Sequence, residues 1–135
     1  MLENYCKTVT IEANTMADMA KTLIAPAVEK FSADVAKNAA AKRALDPSIV
    51  CAYETGIVRK LSDLTDRIAT SVDKLQSAVI ELGDADDVIS ESAMIRDGVI
   101  PVMCELRVAC DEAETLTAKS CWPFPTYADI LFSVR

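Results

Sequence analysis

No histidine occurs in the 135 residues. Its absence removes the commonest general base, the commonest metal ligand and the Glu-x-x-His motif of di-iron bundles. Three glycines, Gly56, Gly83 and Gly98, stand isolated; none opens a helix after a strand, so no phosphate-cradling loop is present. Aromatic residues make up 5% of the chain, and no wholly apolar run is longer than that from Val99 to Cys104, far short of the ~18 residues of a membrane span. The N-terminus has no basic stretch followed by an apolar one. Lys and Arg never run beyond the pairs Lys42-Arg43 and Arg59-Lys60, and the net charge is −7, a balance that repels phosphate backbones and anionic headgroups and argues against nucleic acid and membrane as partners. Cys6, Cys51, Cys104, Cys110 and Cys121 form an odd set without CxxC spacing. Reduced thiols in a cytoplasmic protein account for them, and a structural zinc site is not expected.

What the sequence has is helix-forming composition and a 3-4 apolar rhythm, which together specify an all-α fold. Leu2, Cys6, Val9, Ala13, Met16, Ala20, Leu23, Ala27, Phe31 and Val35 draw one stripe along a first helix, about residues 2–41. Asp46 then reads as an N-cap and Pro47 as a first-turn proline for a second helix, 47–82, whose stripe runs Tyr53, Ile57, Leu61, Leu64, Ile68, Val72, Leu75, Val79 and Leu82. Gly83 suits a left-handed C-cap, and Asp84, Asp86 and Asp87 mark the start of a third helix, 86–119, where carboxylates meet the positive end of its dipole. Its seam runs Val88, Ser92, Ile95, Val99, Val102, Leu106, Ala109, Ala113 and Leu116. Short connections make successive helices antiparallel neighbours, so the expected architecture is one elongated antiparallel three-helix bundle domain spanning 1–135, some 50 to 60 Å long.

Pro26 and Pro101 fall inside helical patterns and each removes a ladder hydrogen bond, which predicts two kinks about one turn apart and a coherent bend near Leu64. Between Val99 and Cys110 the third helix is apolar on nearly every side, with Glu105 and Arg107 its only charges. One seam does not need that much apolar surface. The helix is either central to its own bundle or docks, with Ala17, Ile24 and Val28, onto protein outside this chain. The segment Ser120 to Tyr127 breaks the pattern with two prolines, and Thr126 and Asp129 resemble a capping pair for a last helical turn through Phe132. A tail so apolar, 120–135, is expected to pack on the bundle. The acidic groups Asp84, Asp86, Asp87 and Asp111, Glu112, Glu114 read as caps and a solvated face rather than metal or catalytic sites.

Three stretches resemble the C-terminal helical region of type III glutamine synthetases. The first comprises Glu3, Tyr5, Ile11-Glu12-Ala13, Thr15, Met19-Ala20, Ile24 and Pro26-Ala27; the second is Ile95-Arg96-Asp97 with Val99-Ile100-Pro101. The third, Trp122-Pro123-Phe124-Pro125-Thr126-Tyr127 leading to Ile130-Leu131-Phe132, resembles the family's terminal Trp-Pro-x-Pro-x-Tyr motif. The middle, about 31–87, matches only in helical character.

The resemblance implies a fragment of a larger cytoplasmic ligase that joins ammonia to glutamate with ATP and magnesium and assembles into stacked rings. The active site would lie upstream of Met1, so no catalytic, cofactor-binding or metal residue is carried over to this chain. Its expected role is non-catalytic, structural and interactive, with the catalytic region of the same enzyme or neighbouring subunits as partners and a homo-oligomer as a further state. The rival is a free-standing helical-bundle adaptor or oligomerisation module.

Overall fold

The computed structural model describes residues 1–124, and these are helical almost throughout, without a strand. Helix α1 covers residues 2–45, α2 covers Ala52–Glu81, and α3 covers residues 88–116, followed by a short 3-10 turn at Lys119–Cys121. The all-α, three-helix reading holds. The last expected helical turn, and the tail from residue 125, lie outside the described residues.

The core follows the 3-4 rhythm. Leu61, Leu64, Ile68, Val72, Leu75 and Leu82 of the second stripe are buried, and from α3 so are Ile95, Val99, Leu106, Ala109 and Ala113. Against them α1 sets mostly small residues, Cys6, Val9, Ala13, Ala17 and Ala20, which let the helices approach closely. Along the α2–α3 seam, Arg67 pairs with Glu112 at 3.5 Å and Lys74 with Glu105 at 3.5 Å. Seven residues forward on α2 match seven back on α3, so these two helices run in opposite directions. Each pair is solvent-exposed and contributes under about 1 kcal/mol, marking register more than supplying stability. The first two turns of α3, Val88–Met94, pack instead on the N-terminal half of α1.

Both internal prolines are handled by the same device. A π-turn, Ala20–Ile24, precedes Pro26, and a second, Ile95–Val99, precedes Pro101. The Ala25 N–H donates five residues back to the Ala20 carbonyl, and the Ile100 N–H does the same to Ile95. Each proline then sits in the first turn of the α-segment that follows, where its missing N–H costs nothing.

The extra residue in a π-turn also rotates everything downstream by about 100°. In α1 this moves the core stripe one position along. Leu23 is 45% exposed, whereas Val28 is fully buried and Ile24 half-buried. Two expectations are corrected here. The stripe does not pass through Leu23 and Ala27, and Ala17 and Val28 belong to the bundle's own core instead of an outward docking face, with Ile24 half-buried at its edge.

The connections also depart from expectation. Helix α1 runs on to Leu45, and Asp46 caps nothing downstream: its Oδ1 accepts from the Ser48 N–H at 3.0 Å and the Ser48 hydroxyl at 2.8 Å. That local turn consumes the carboxylate and with it Pro47, so α2 begins at Ala52, five residues later than position 47. The residue before it, Cys51, adopts a left-handed conformation with φ of 54°, uncommon for a residue with a Cβ. Its buried thiol contacts the Ala39 carbonyl at 3.7 Å, which fixes the end of α1 against the start of α2. Gly83 is not left-handed either, since α2 tightens into a 3-10 turn, Leu82–Asp84, in which the Ala85 N–H donates to the Leu82 carbonyl. Of the three aspartates expected to open the third helix, Asp87 is the N-cap: its Oδ1 accepts from the Ser90 N–H at 2.7 Å. That bond holds the Asp87 carboxyl below its ordinary range.

Candidate docking surfaces

The long apolar stretch of α3 divides three ways once the helix is wound. Val99, Leu106 and Ala109 enter the core. Pro101, Cys104 and Val108 come to the surface beside α2, where they line a groove of about 600 Å³ with Arg67, Ser71 and Lys74. Val108 is 51% exposed. The groove's apolar floor is flanked by the Lys74–Glu105 pair, an arrangement of apolar centre and charged edge common to protein interfaces. This strip is the part of the Val99–Cys110 surplus that the bundle does not use.

The third side of the helix faces α1. Here Ile11, Met16, Met19 and Ile24 of α1 stand across from Leu106 and Cys110 of α3, with Glu12 and Arg107 at the rim, around a groove of about 390 Å³. It opens because α1 and α3 pack together near their starts, at Val88–Met94, and are otherwise held mainly through α2. Periodicity alone did not expose this groove. The signal available was Ile11, which lies off the core stripe four residues before Thr15 and eight before Met19, on one helix face.

Cys110 lines this groove. Burial first, and the adjacent Asp111 carboxylate second, push its thiol up to about 11 from 9.0. An acid held neutral by the fold loses stability when the unfolded chain ionises and the folded chain does not. The chain is therefore expected to lose stability as pH rises from about 9 through about 11. A Cys110→Ala chain should show a shallower decline over that window; identical pH profiles from urea unfolding would contradict the assignment.

Where α1 meets α2, Glu54 is buried and lies 3.4 Å from the Lys42 ammonium. The neighbouring Cys51 side chain first, then the Glu54 backbone and Lys42, hold its carboxyl below the usual range against the cost of desolvation. The cluster reads as a clasp between helices. No group of three potential metal ligands converges among the described residues, and no described helix is long and apolar enough to cross a membrane. Asp111, Glu112 and Glu114 are exposed, Glu112 in its pair with Arg67. Cys6, Cys51, Cys104, Cys110 and Cys121 are all unbridged, with Cys6 and Cys51 buried.

Residues 1–43 match the glutamine synthetase C-terminal domain family, a stretch that contains the α1 wall of the groove and the first π-turn. Over 135 residues the chain is 28% identical to a glutamine synthetase of Butyrivibrio fibrisolvens, covering all of this chain and 19% of that protein. A type-3 glutamine synthetase of Dictyostelium discoideum is 26% identical over 140 residues, covering 98% of this chain and 18% of its own length. The chain is thus similar to glutamine synthetases along its length, and over residues 1–43 to their C-terminal domain. It spans less than a fifth of the length of these relatives, and no solved structure matches it. Both glutamine synthetase alignments run through the middle, about 31–87, where the residues alone offered only helical character.

Proposed function

We propose that this chain is a non-catalytic structural and interaction domain of a type III glutamine synthetase. The rest of that enzyme binds ATP and magnesium and joins ammonia to glutamate. The domain docks on the catalytic region of the same enzyme or on a neighbouring subunit and supports a homo-oligomer, in the cytoplasm, where its five thiols stay reduced.

The observation that carries this reading is the Pro101–Cys104–Val108 strip. Apolar side chains on a single helix turn outward there although the core is already filled by Val99, Leu106 and Ala109, and surface of that kind is covered in an assembly. The alignments over the whole chain with less than a fifth of each relative support the parentage. A free-standing adaptor would use the same strip, and the full-length enzyme separates the two. In it, Val108→Glu is expected to weaken subunit assembly while leaving the helices folded; assembly unaffected by this charge would overturn the docking role.

A further inference from the structure

The outer face of the α2–α3 seam is covered by no described element. Its furrow runs past the Pro101–Cys104–Val108 strip in both directions, to Lys60 and Thr115 at one end and to Ser77 and Gly98 at the other. Along it α2 presents Asp63, Asp66, Thr70, Asp73, Ser77 and Glu81, all exposed, at the three- and four-residue steps that keep to one helix face.

The charges of this face are arranged about Thr70. Asp66 and Lys74 lie four residues to either side of it, Arg67 and Asp73 three, and Arg59 and Glu81 eleven. Each couple is of opposite sign. When two copies of a helix cross antiparallel about a twofold axis, residues equally far before and after the crossing point meet. With the axis at Thr70 all three couples therefore attract between copies. The remaining charges, Lys60 and Asp63, fall opposite the uncharged Ile80 and Ser77, so α2 sets no like charges against each other. Within 59–81 Arg59, Lys60, Arg67 and Lys74 balance Asp63, Asp66, Asp73 and Glu81, so the repulsion between two chains of net charge −7 is weakest here. A partner of one dominant sign would match half of this pattern; a second copy matches all of it.

The centre suits close approach. Thr70 and Ser71 are small, and Cys104 and Val108 beside them give the crossing an apolar middle. At its edges Glu105 and Glu112 are already neutralised by Lys74 and Arg67 of their own chain.

We propose that the outer α2–α3 face pairs with the same face of a second copy of this chain, the two α2 helices crossing antiparallel at Thr70 so that Asp66 of each meets Lys74 of the other. This pairing rests on the docking role proposed above for the Pro101–Cys104–Val108 strip, and names its occupant.

Asp66 and Lys74 are about 12 Å apart along one helix and do not pair within a chain, so reversing their charges reports on contacts between chains. Sedimentation equilibrium of the 135-residue chain is expected to show a dimer at about 100 μM. Asp66→Lys and Lys74→Glu should each weaken it at least about tenfold, because a twofold axis repeats every reversal. Both residues are exposed, and circular dichroism should find each variant as helical as the native chain. Mixed in equal amounts, the two variants should associate at least about tenfold more tightly than either does alone, since one then carries two cations at these positions and the other two carboxylates. A native chain that stays monomeric, reversals that leave the dimer intact, or a mixture no tighter than its components would each overturn the twofold pairing. Its failure is told apart from failure of the docking role by Val108→Glu in the full-length enzyme, which would still weaken assembly if the strip docks on something else.

Discussion

Val28→Asp is expected to cost more than ~3 kcal/mol, enough to leave much of the chain unfolded, whereas Leu23→Asp five residues earlier should stay within about 1 kcal/mol. Val28 is fully buried and Leu23 is 45% exposed. An unbroken α-helix would bury Leu23 in the stripe that continues from Ala20. The π-turn Ala20–Ile24 adds a residue and hands the core positions to Ile24 and Val28. A carboxylate at Val28 would enter a core with no partner for it, while one at Leu23 would point to water. Urea denaturation of the two variants reads the register directly. A larger loss from Leu23→Asp than from Val28→Asp would mean that the helix passes Pro26 without the extra residue.

Truncation of Leu106 to alanine should destabilise the chain by about 3–4 kcal/mol, a large share of the 5–15 kcal/mol typical of a domain. Leu106 is fully buried, and it faces both the core and the floor of the α1–α3 groove. Removing its isopropyl group leaves a space that small neighbours such as Ala109 and Ala113 cannot fill. Val108, two positions on, is the control. Half exposed on the opposite side of the helix, it should lose no more than about 0.5–1 kcal/mol on replacement by alanine. Comparable losses at the two positions would show that the apolar stretch of α3 is buried all round and that its surplus belongs to the core.

Most of the bundle was legible in the sequence because apolar spacing is set by helix geometry, and that geometry holds wherever the helix is regular. The α2 stripe from Leu61 to Leu75 is buried as the 3-4 rhythm requires. Where the rhythm misled, a local bonding choice overrode it. Both prolines were visible, but the wider turn that precedes each was not, and its added residue shifts the register beyond. In α3 the seam Ile95, Val99, Leu106 came out right because a four-residue step happens to span the second π-turn. In α1 a three-residue step from Ala20 to Leu23 did not. At Asp46 the competing bond was to Ser48, two residues away, which a capping reading of Asp-Pro overlooks.

The two grooves beside α3 were legible only as a quantity. The excess of apolar residues from Val99 to Cys110 announced that α3 serves more than one seam, but composition has no direction. Winding the helix against α2 and α1 sends Pro101, Cys104 and Val108 to one side and Cys110 to the other. The gap between α1 and α3 arises from how three long helices share contacts, with α2 in the middle, and no single helix encodes it.

The proposed docking through the Pro101–Cys104–Val108 strip is tested most directly by sedimentation velocity of the full-length glutamine synthetase proposed to contain this chain, carrying Val108→Glu. A shift from the assembled particle to smaller species is expected, with the helical signal unchanged. A particle of unaltered mass, with the charged side chain in place, would contradict it.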